Sequence, residues 1–209
     1  MKIKICGITR LDDALAAVEY GADTLGFIFV PDSPRYVRPS AAQQITSKLP
    51  PEIITVGVFV NESRATIART ILDAGIHAIQ LHGDETPEET EGFGIRVVKG
   101  YRVSPGFDTA QLSAYRVYAH LLDAYVGGRR GGTGQTFDWQ VAFRARAFGK
   151  IILSGGLRPA NVAEAIRAAR PDAVDVSSGV ERTAGVKDHA QMKEFMQAAR
   201  EAFAGVQTT

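Results

Sequence analysis

The feature that most narrows what this chain can fold into is a repeat: a short apolar run followed by a helical stretch, recurring from one end to the other. The eight apolar runs are Ile3–Ile5, Thr24–Phe29, Ile53–Val60, Ala78–Leu81, Ile95–Lys99, Ala119–Leu122, Ile151–Leu153 and Ala173–Val176. Most carry apolar residues at successive positions, as expected of strands buried on both faces of a parallel sheet covered by helices. Right-handed crossovers repeated this often close most simply into an α/β fold of the (β/α)8 barrel type. An open doubly wound sheet is the competing arrangement, but no dinucleotide fingerprint follows the first strand and the repeat is continuous.

Punctuation between the runs agrees with this reading. Asp12 and Asp13 suit the positive end of a helix running to about Glu19, and Gly21 closes it. Ser40 is expected to cap a helix to about Leu49. Asn61 or Ser63 starts another to Asp73, and brief helices are expected at Thr86–Glu88 and within Asp108–Tyr115. Longer ones follow at Phe137–Ala147, Pro159–Arg170 and Ala190–Ala202. At 209 residues the chain has the length of one barrel. Residues 1–204 are expected to form that single domain, and 205–209 a flexible tail.

Charge and cysteine content remove several function classes. The net charge is +1 with no basic stripe interleaved with aromatics, so neither nucleic acid nor a membrane surface is an expected partner. The single cysteine, Cys6, excludes an internal disulfide and a Cys-rich metal site. No apolar run approaches the ~18 residues of a membrane-spanning helix. The N-terminus opens on a strand without an apolar signal region. A soluble, cytoplasmic protein is expected.

In barrels of this type the site lies at the C-terminal ends of the strands. Those ends carry, in order, Cys6, Phe29 with the loop bearing Arg35, Val60-Asn61, His82, Lys99, Asp123, Gly155-Gly156 and Ser177-Ser178-Gly179. The last two ends form the fold's usual phosphate cradle, in which Gly155, Gly156, Ser178 and Gly179 turn backbone N–H groups inward. Tight turns with no ligand are the plainer alternative. Cys6 and Asp123, from strands on opposite sides of a closed barrel, would flank a substrate as base and acid. A thiol with its free pKa near about 8.5 becomes a base where a positive field lowers it; a carboxylic acid donates a proton near neutrality where its surroundings raise its pKa. Taken singly, Cys6 reads as a buried structural cysteine and Asp123 as a helix cap or salt-bridge partner. Arg35 could fork a substrate carboxylate, or be a solvated loop arginine. Of the histidines, only His82 is placed to meet a ligand. Asp84 and Glu85 lack a second ligand cluster, so no metal site is expected.

The assembled motifs resemble the phosphoribosylanthranilate isomerase family. The resemblance rests on Lys4-Ile5-Cys6-Gly7-Ile8-Thr9, on Gly26-Phe27-Ile28-Phe29 with Ser33-Pro34-Arg35, and on Val56-Gly57-Val58-Phe59. It continues through Gln80-Leu81-His82-Gly83-Asp84-Glu85, Leu122-Asp123, Gly131-Gly132-Thr133-Gly134 and Phe137-Asp138-Trp139. Ser154-Gly155-Gly156-Leu157 with Asn161-Val162, then Asp175 through Glu181 and Lys187-Asp188, complete it. The Arg129-Arg130 pair is a mild departure. The resemblance implies an Amadori rearrangement in tryptophan biosynthesis with Cys6 as general base and Asp123 as general acid. It places Arg35 near the anthranilate carboxylate, Asp175 on a sugar hydroxyl, the phosphate in the last two loops, and no metal or organic cofactor. The substrate would be phosphoribosylanthranilate; whether the protein is a monomer or homodimer is left open. The rivals are the histidine-pathway isomerase of the same fold, which uses carboxylates at both catalytic ends, and a non-catalytic phosphate-ligand-binding barrel. Cys6 in place of a carboxylate and the single cradle argue against the first, and the intact acid–base pair against the second.

Overall fold

A computed structural model describes residues 2–124 and 138–207. Eight parallel strands close into a barrel in sequence order. They are β1 (Ile3–Ile5), β2 (Thr24–Ile28), β3 (Ile54–Phe59), β4 (Ala78–Leu81), β5 (Arg96–Val103), β6 (Ala119–Ala124), β7 (Ile151–Leu153) and β8 (Ala173–Val176). Closure comes from β1 pairing with β8, which sets Lys4 beside Asp175. Helices α1 (Leu11–Glu19), α2 (Pro39–Thr46), α3 (Arg64–Ala74), α4 (Trp139–Ala145), α5 (Pro159–Ala169) and α6 (His189–Gln207) surround the barrel. Single 3-10 stretches, Glu88–Thr90 and Thr109–Ala114, stand where β4 and β5 would otherwise be followed by α-helices.

Alternation along each strand sorts residues between two cores. Outward positions such as Ile3, Ile5, Phe27 and Leu122 pack under the helices. Inward positions Val98, Ala119, Leu121, Ile152 and Ala173 form a second, smaller cluster inside the barrel. Above that plug the interior turns polar: Lys4, Gln80 and Asp175 are 1%, 3% and 5% exposed. A buried lysine survives there only because it is paired.

Several local expectations are corrected. Ser40 is not a cap: the helix begins at Pro39, whose fixed φ suits a first helical position, with Arg38 before it. Of Asn61 and Ser63, Ser63 is the cap, accepting from the Thr66 N–H. Strand β5 runs past Lys99 to Val103, so Lys99 is not a strand end. Lys99 points outward and its ammonium is buried against Glu85 at 2.9 Å. The final helix continues to Gln207 instead of fraying into a tail at 205, anchored by buried Ala202 and Phe203. A short antiparallel hairpin, β9 (Glu181–Thr183) and β10 (Val186–Lys187), stands between β8 and α6 and was not anticipated. The Gly127–Gly134 loop, Arg129-Arg130 and Phe137 lie outside the described residues.

Candidate active site

A cavity of about 400 Å3 opens at the C-terminal ends of the strands, within the size range of small-molecule sites. Cys6, Arg35, His82, Asp123, Gly155, Gly156, Asp175, Ser178 and Gly179, every site residue expected from the sequence, line it. The cavity has three zones. Ile28, Val30, Pro34, Val58 and Val60 make an apolar wall over β2 and β3. Glycine turns after β7 and β8 make the opposite wall. Cys6 and Asp123 stand between, at the ends of β1 and β6.

The glycine turns carry polar groups without partners among the described residues. Gly155 and Gly156 both have positive φ, +85° and +65°, a left-handed backbone that favours glycine. No described group accepts from either N–H. Gly179 packs so closely on the Leu157 carbonyl that an added Cβ would overlap that oxygen. Ser177 Oγ, in the same wall, is buried without a hydrogen-bond partner among the described residues. A ligand oxygen would satisfy these groups.

Cys6 is 5% exposed. Burial pushes its thiol above the ordinary value; Lys4 pulls it down, Asp175 pushes it up, and Lys187 again pulls it down. Burial would by itself lower Lys4, but Asp175 and then Cys6 outweigh it and hold the ammonium charged. Lys4 Nζ donates to Asp175 Oδ1 at 2.8 Å and to Gln80 Oε1 at 3.0 Å. The other Asp175 oxygen accepts from Ser154 Oγ at 3.2 Å. Asp175 thus reaches the cavity already engaged by two side chains.

Arg35 does not wave in solvent. Its Nε and Nη2 grip Glu181, the closest contact being 2.7 Å. Glu181 also accepts from Lys187 Nζ at 2.9 Å, and that ammonium donates to the backbone carbonyls of Cys6 at 2.6 Å and Ser177 at 3.1 Å. The hairpin β9–β10 therefore fastens the Arg35 loop to the strand end that carries the thiol. His82 lies between Gln80 and Asp123, its Nδ1 2.8 Å from Gln80 Nε2 and its Nε2 3.4 Å from Asp123 Oδ2. Among the described residues no group of three or more His, Cys, Asp and Glu is placed to hold a metal ion.

The sequence assigns no site role to Lys4, Gln80, Arg102, Glu181 or Lys187, although all but Arg102 fall within the motifs that carry the resemblance. Lys4 and Gln80 carried a readable signal, a polar side chain at an inward strand position. Arg102 escaped because β5 was ended too early; it lines the cavity from β5, in register with Asp123. Glu181 and Lys187 belong to the unanticipated hairpin.

Comparisons with known proteins show the family and the fold. The family described as N-(5'-phosphoribosyl)anthranilate isomerase matches residues 3–198. The N-(5'-phosphoribosyl)anthranilate isomerase of Geobacter sulfurreducens is 50% identical over 200 residues, covering 96% of this chain and 98% of that protein. A crystal structure of phosphoribosylanthranilate isomerase in complex with reduced 1-(o-carboxyphenylamino)-1-deoxyribulose 5-phosphate superposes with a TM-score of 0.87 at 43% identity, covering 96% of this chain and 99% of that one. Monomers generated from the dimeric enzyme of Thermotoga maritima superpose with a TM-score of 0.84 at 41% identity, with coverage of 96% and 99%.

Proposed function

The chain belongs to the phosphoribosylanthranilate isomerase family, and from that premise we propose how its cavity divides the work. The activity is an aldose–ketose isomerisation in tryptophan biosynthesis, the Amadori rearrangement of N-(5-phosphoribosyl)anthranilate. The substrate has three parts, and the cavity has three zones. The phosphate sits on the N–H groups of Gly155, Gly156, Ser178 and Gly179. The anthranilate ring lies on the apolar wall of Ile28, Val30, Pro34, Val58 and Val60, its carboxylate toward Arg35. The ribose then spans the gap between Cys6 and Asp123.

In that pose Asp123 gives its proton to the furanose ring oxygen. The C1–O bond breaks and its electron pair goes to that oxygen, while the anthranilate nitrogen lone pair forms the protonated C1=N bond. Cys6 thiolate takes the proton from C2, and the C–H pair becomes a C1=C2 bond as the C=N pair returns to nitrogen. The enolamine tautomerises to the ketone. The substrate's own nitrogen is the electron sink, so this route calls for no cofactor. Contrary to the expectation of a thiol lowered by a positive field, burial leaves the Cys6 thiol raised overall, with Lys4 and Lys187 offsetting only part of it; a thiolate formed in these low-dielectric surroundings is correspondingly a strong base.

The observation that carries the proposal is that Cys6 and Asp123 lie in one cavity, on β1 and β6, with the anion cradle to one side of both. Among the described residues no helix is long and apolar enough to cross a membrane. For assembly we propose a homodimer, by likeness to the dimeric Thermotoga maritima enzyme. The test of the site is anthranilate fluorescence followed during turnover of phosphoribosylanthranilate. The wild-type chain is expected to convert it, and Cys6→Ser and Asp123→Asn to lose that conversion; two active variants would overturn the assignment.

A further inference from the structure

We propose that Lys4, Gln80 and His82 form a positioning relay that determines which ring nitrogen of His82 carries its proton, and so aims an N–H at the carboxyl group of Asp123. The proposal rests on the reading of Asp123 as the acid and adds the device that steadies it.

Lys4 is the one member of the relay whose hydrogen-bonding role is fixed. An ammonium has three N–H donors and no acceptor. Lys4 is 1% exposed, and Asp175 keeps it charged with an ion pair of 2.8 Å. The Gln80 atom 3.0 Å from Lys4 Nζ must therefore be the carbonyl oxygen, which turns the amide nitrogen to the other side. That nitrogen lies 2.8 Å from His82 Nδ1. An amide nitrogen only donates, so Nδ1 must accept with its lone pair. A neutral imidazole has one N–H, which is then left on Nε2. Nε2 is the atom 3.4 Å from Asp123 Oδ2, an ion-pair separation that a small shift of either side chain would close to a hydrogen bond.

The surroundings hold the ring to this arrangement. Gly100 on β5 supplies the space: an added Cβ would come within van der Waals overlap of His82 Nδ1. Asp123 of β6 lies beside the ring, Arg102 of β5 lines the same cavity, and Lys4 and Asp175 lie beyond Gln80 with Cys6 in the same cavity. When Asp123 gives up its proton it becomes an anion, and an N–H directed at it stabilises that anion as it forms. The opposite tautomer would turn a lone pair toward the new carboxylate and oppose the step. His82, expected from the sequence to contact substrate, is in this reading a positioning residue acting through Asp123.

The test is nitrogen-15 NMR of the full chain labelled in histidine, without ligand, near pH 7. The chain has 4 histidines, and the signal lost in His82→Gln identifies the ring. The expected wild-type result is a protonated Nε2 and a bare Nδ1. A proton on Nδ1, alone or with Nε2, overturns the relay. Gln80→Glu keeps the size of the side chain but presents only acceptors to His82, so Nδ1 should become protonated. Its kcat should fall about ten-fold, the scale of one hydrogen bond to a charged group, with KM held. An unchanged tautomer, or a moved tautomer with unchanged kcat, overturns the proposal; the wild-type spectrum decides alone if the variant does not fold. Failure of the premise reads differently, because Asp123→Asn at near-normal kcat would remove Asp123 as the acid while leaving the wild-type tautomer as it stands.

Discussion

Glu181 holds Arg35 along one edge of its guanidinium, with Nε at 3.0 Å and Nη2 at 2.7 Å. Two of the five N–H donors of an arginine are spent in that grip, so the rest of the fork remains for a ligand in the cavity Arg35 lines. Arg35→Ala should raise KM for phosphoribosylanthranilate by about ten-fold or more, the scale of a lost charge-assisted hydrogen bond, with kcat nearly held. The comparison that decides is binding of product analogues with and without the anthranilate carboxylate. An equal loss for both would mean that Arg35 shapes the loop and does not meet the carboxylate. Glu181→Ala should be costly in a different way, because it strands the buried Lys187 ammonium. Its unfolding free energy should drop by roughly 3 kcal/mol in urea titration.

The acid and base should each be needed for turnover. Cys6→Ser should lower kcat by at least ~100-fold with modest change in KM, as for a lost general base. Asp123→Asn should lose as much. Near-normal turnover would exclude Asp123 as the acid.

Gly179 tests the anion cradle. A methyl group there would run into the Leu157 carbonyl, so the loops after β7 and β8 must part in Gly179→Ala. The variant should lose about 1–3 kcal/mol of stability, as for other overpacked sites. Inorganic phosphate, which should protect the wild type against thermal unfolding by binding the folded form, should protect the variant measurably less. Equal protection would place the phosphate elsewhere.

His120 is the residue through which mild acid should weaken the fold. Burial lowers its pKa, only partly offset by a hydrogen bond to the Phe148 backbone, and its Nδ1 lies 3.1 Å from Tyr101 Oη. The unfolded chain therefore takes up a proton below about pH 6.5 that the folded chain refuses. Stability should fall as pH drops from about 6.5 and level off below the folded-state value. Burial works to raise Glu181, yet Arg35 and Lys187 prevail and hold it below the usual carboxylate range. Its contribution is present above its unfolded value of about 4.3 and is lost only as pH falls further. Glu181 therefore adds nothing to the slope between pH 7 and 5, and urea midpoints of His120→Gln over that range should show a flatter slope than the wild type. Identical slopes would assign the acid sensitivity to another group.

Much of the fold could be read from local pattern. Apolar runs of strand length, separated by capped helices, prescribe a parallel sheet, and eight of them prescribe closure; the observed β4, β7 and β8 begin and end where those runs do. Boundaries went wrong where a local rule met a stronger neighbour. Pro39 overrode Ser40 as the start of α2. The run Gly100–Val103 stayed in the sheet, though Gly100 and Arg102 weaken its apolar signal, because β6 pairs with it along that length.

The sequence by itself determined the identity of the chemistry. Cys6, Asp123, Arg35 and the glycine turns are local marks at strand ends, and the barrel topology carries every strand end to one face. Only the tertiary structure decided what each of those groups rests on. Lys4 meets Gln80 and Asp175 across 76 and 171 positions of chain, Arg35 meets Glu181 across 146, and Lys187 reaches the Cys6 carbonyl across 181. No periodicity encodes such pairings. They arise because closing the barrel removes these charges from water, and each must then find its partner among whatever side chains the register has brought within reach.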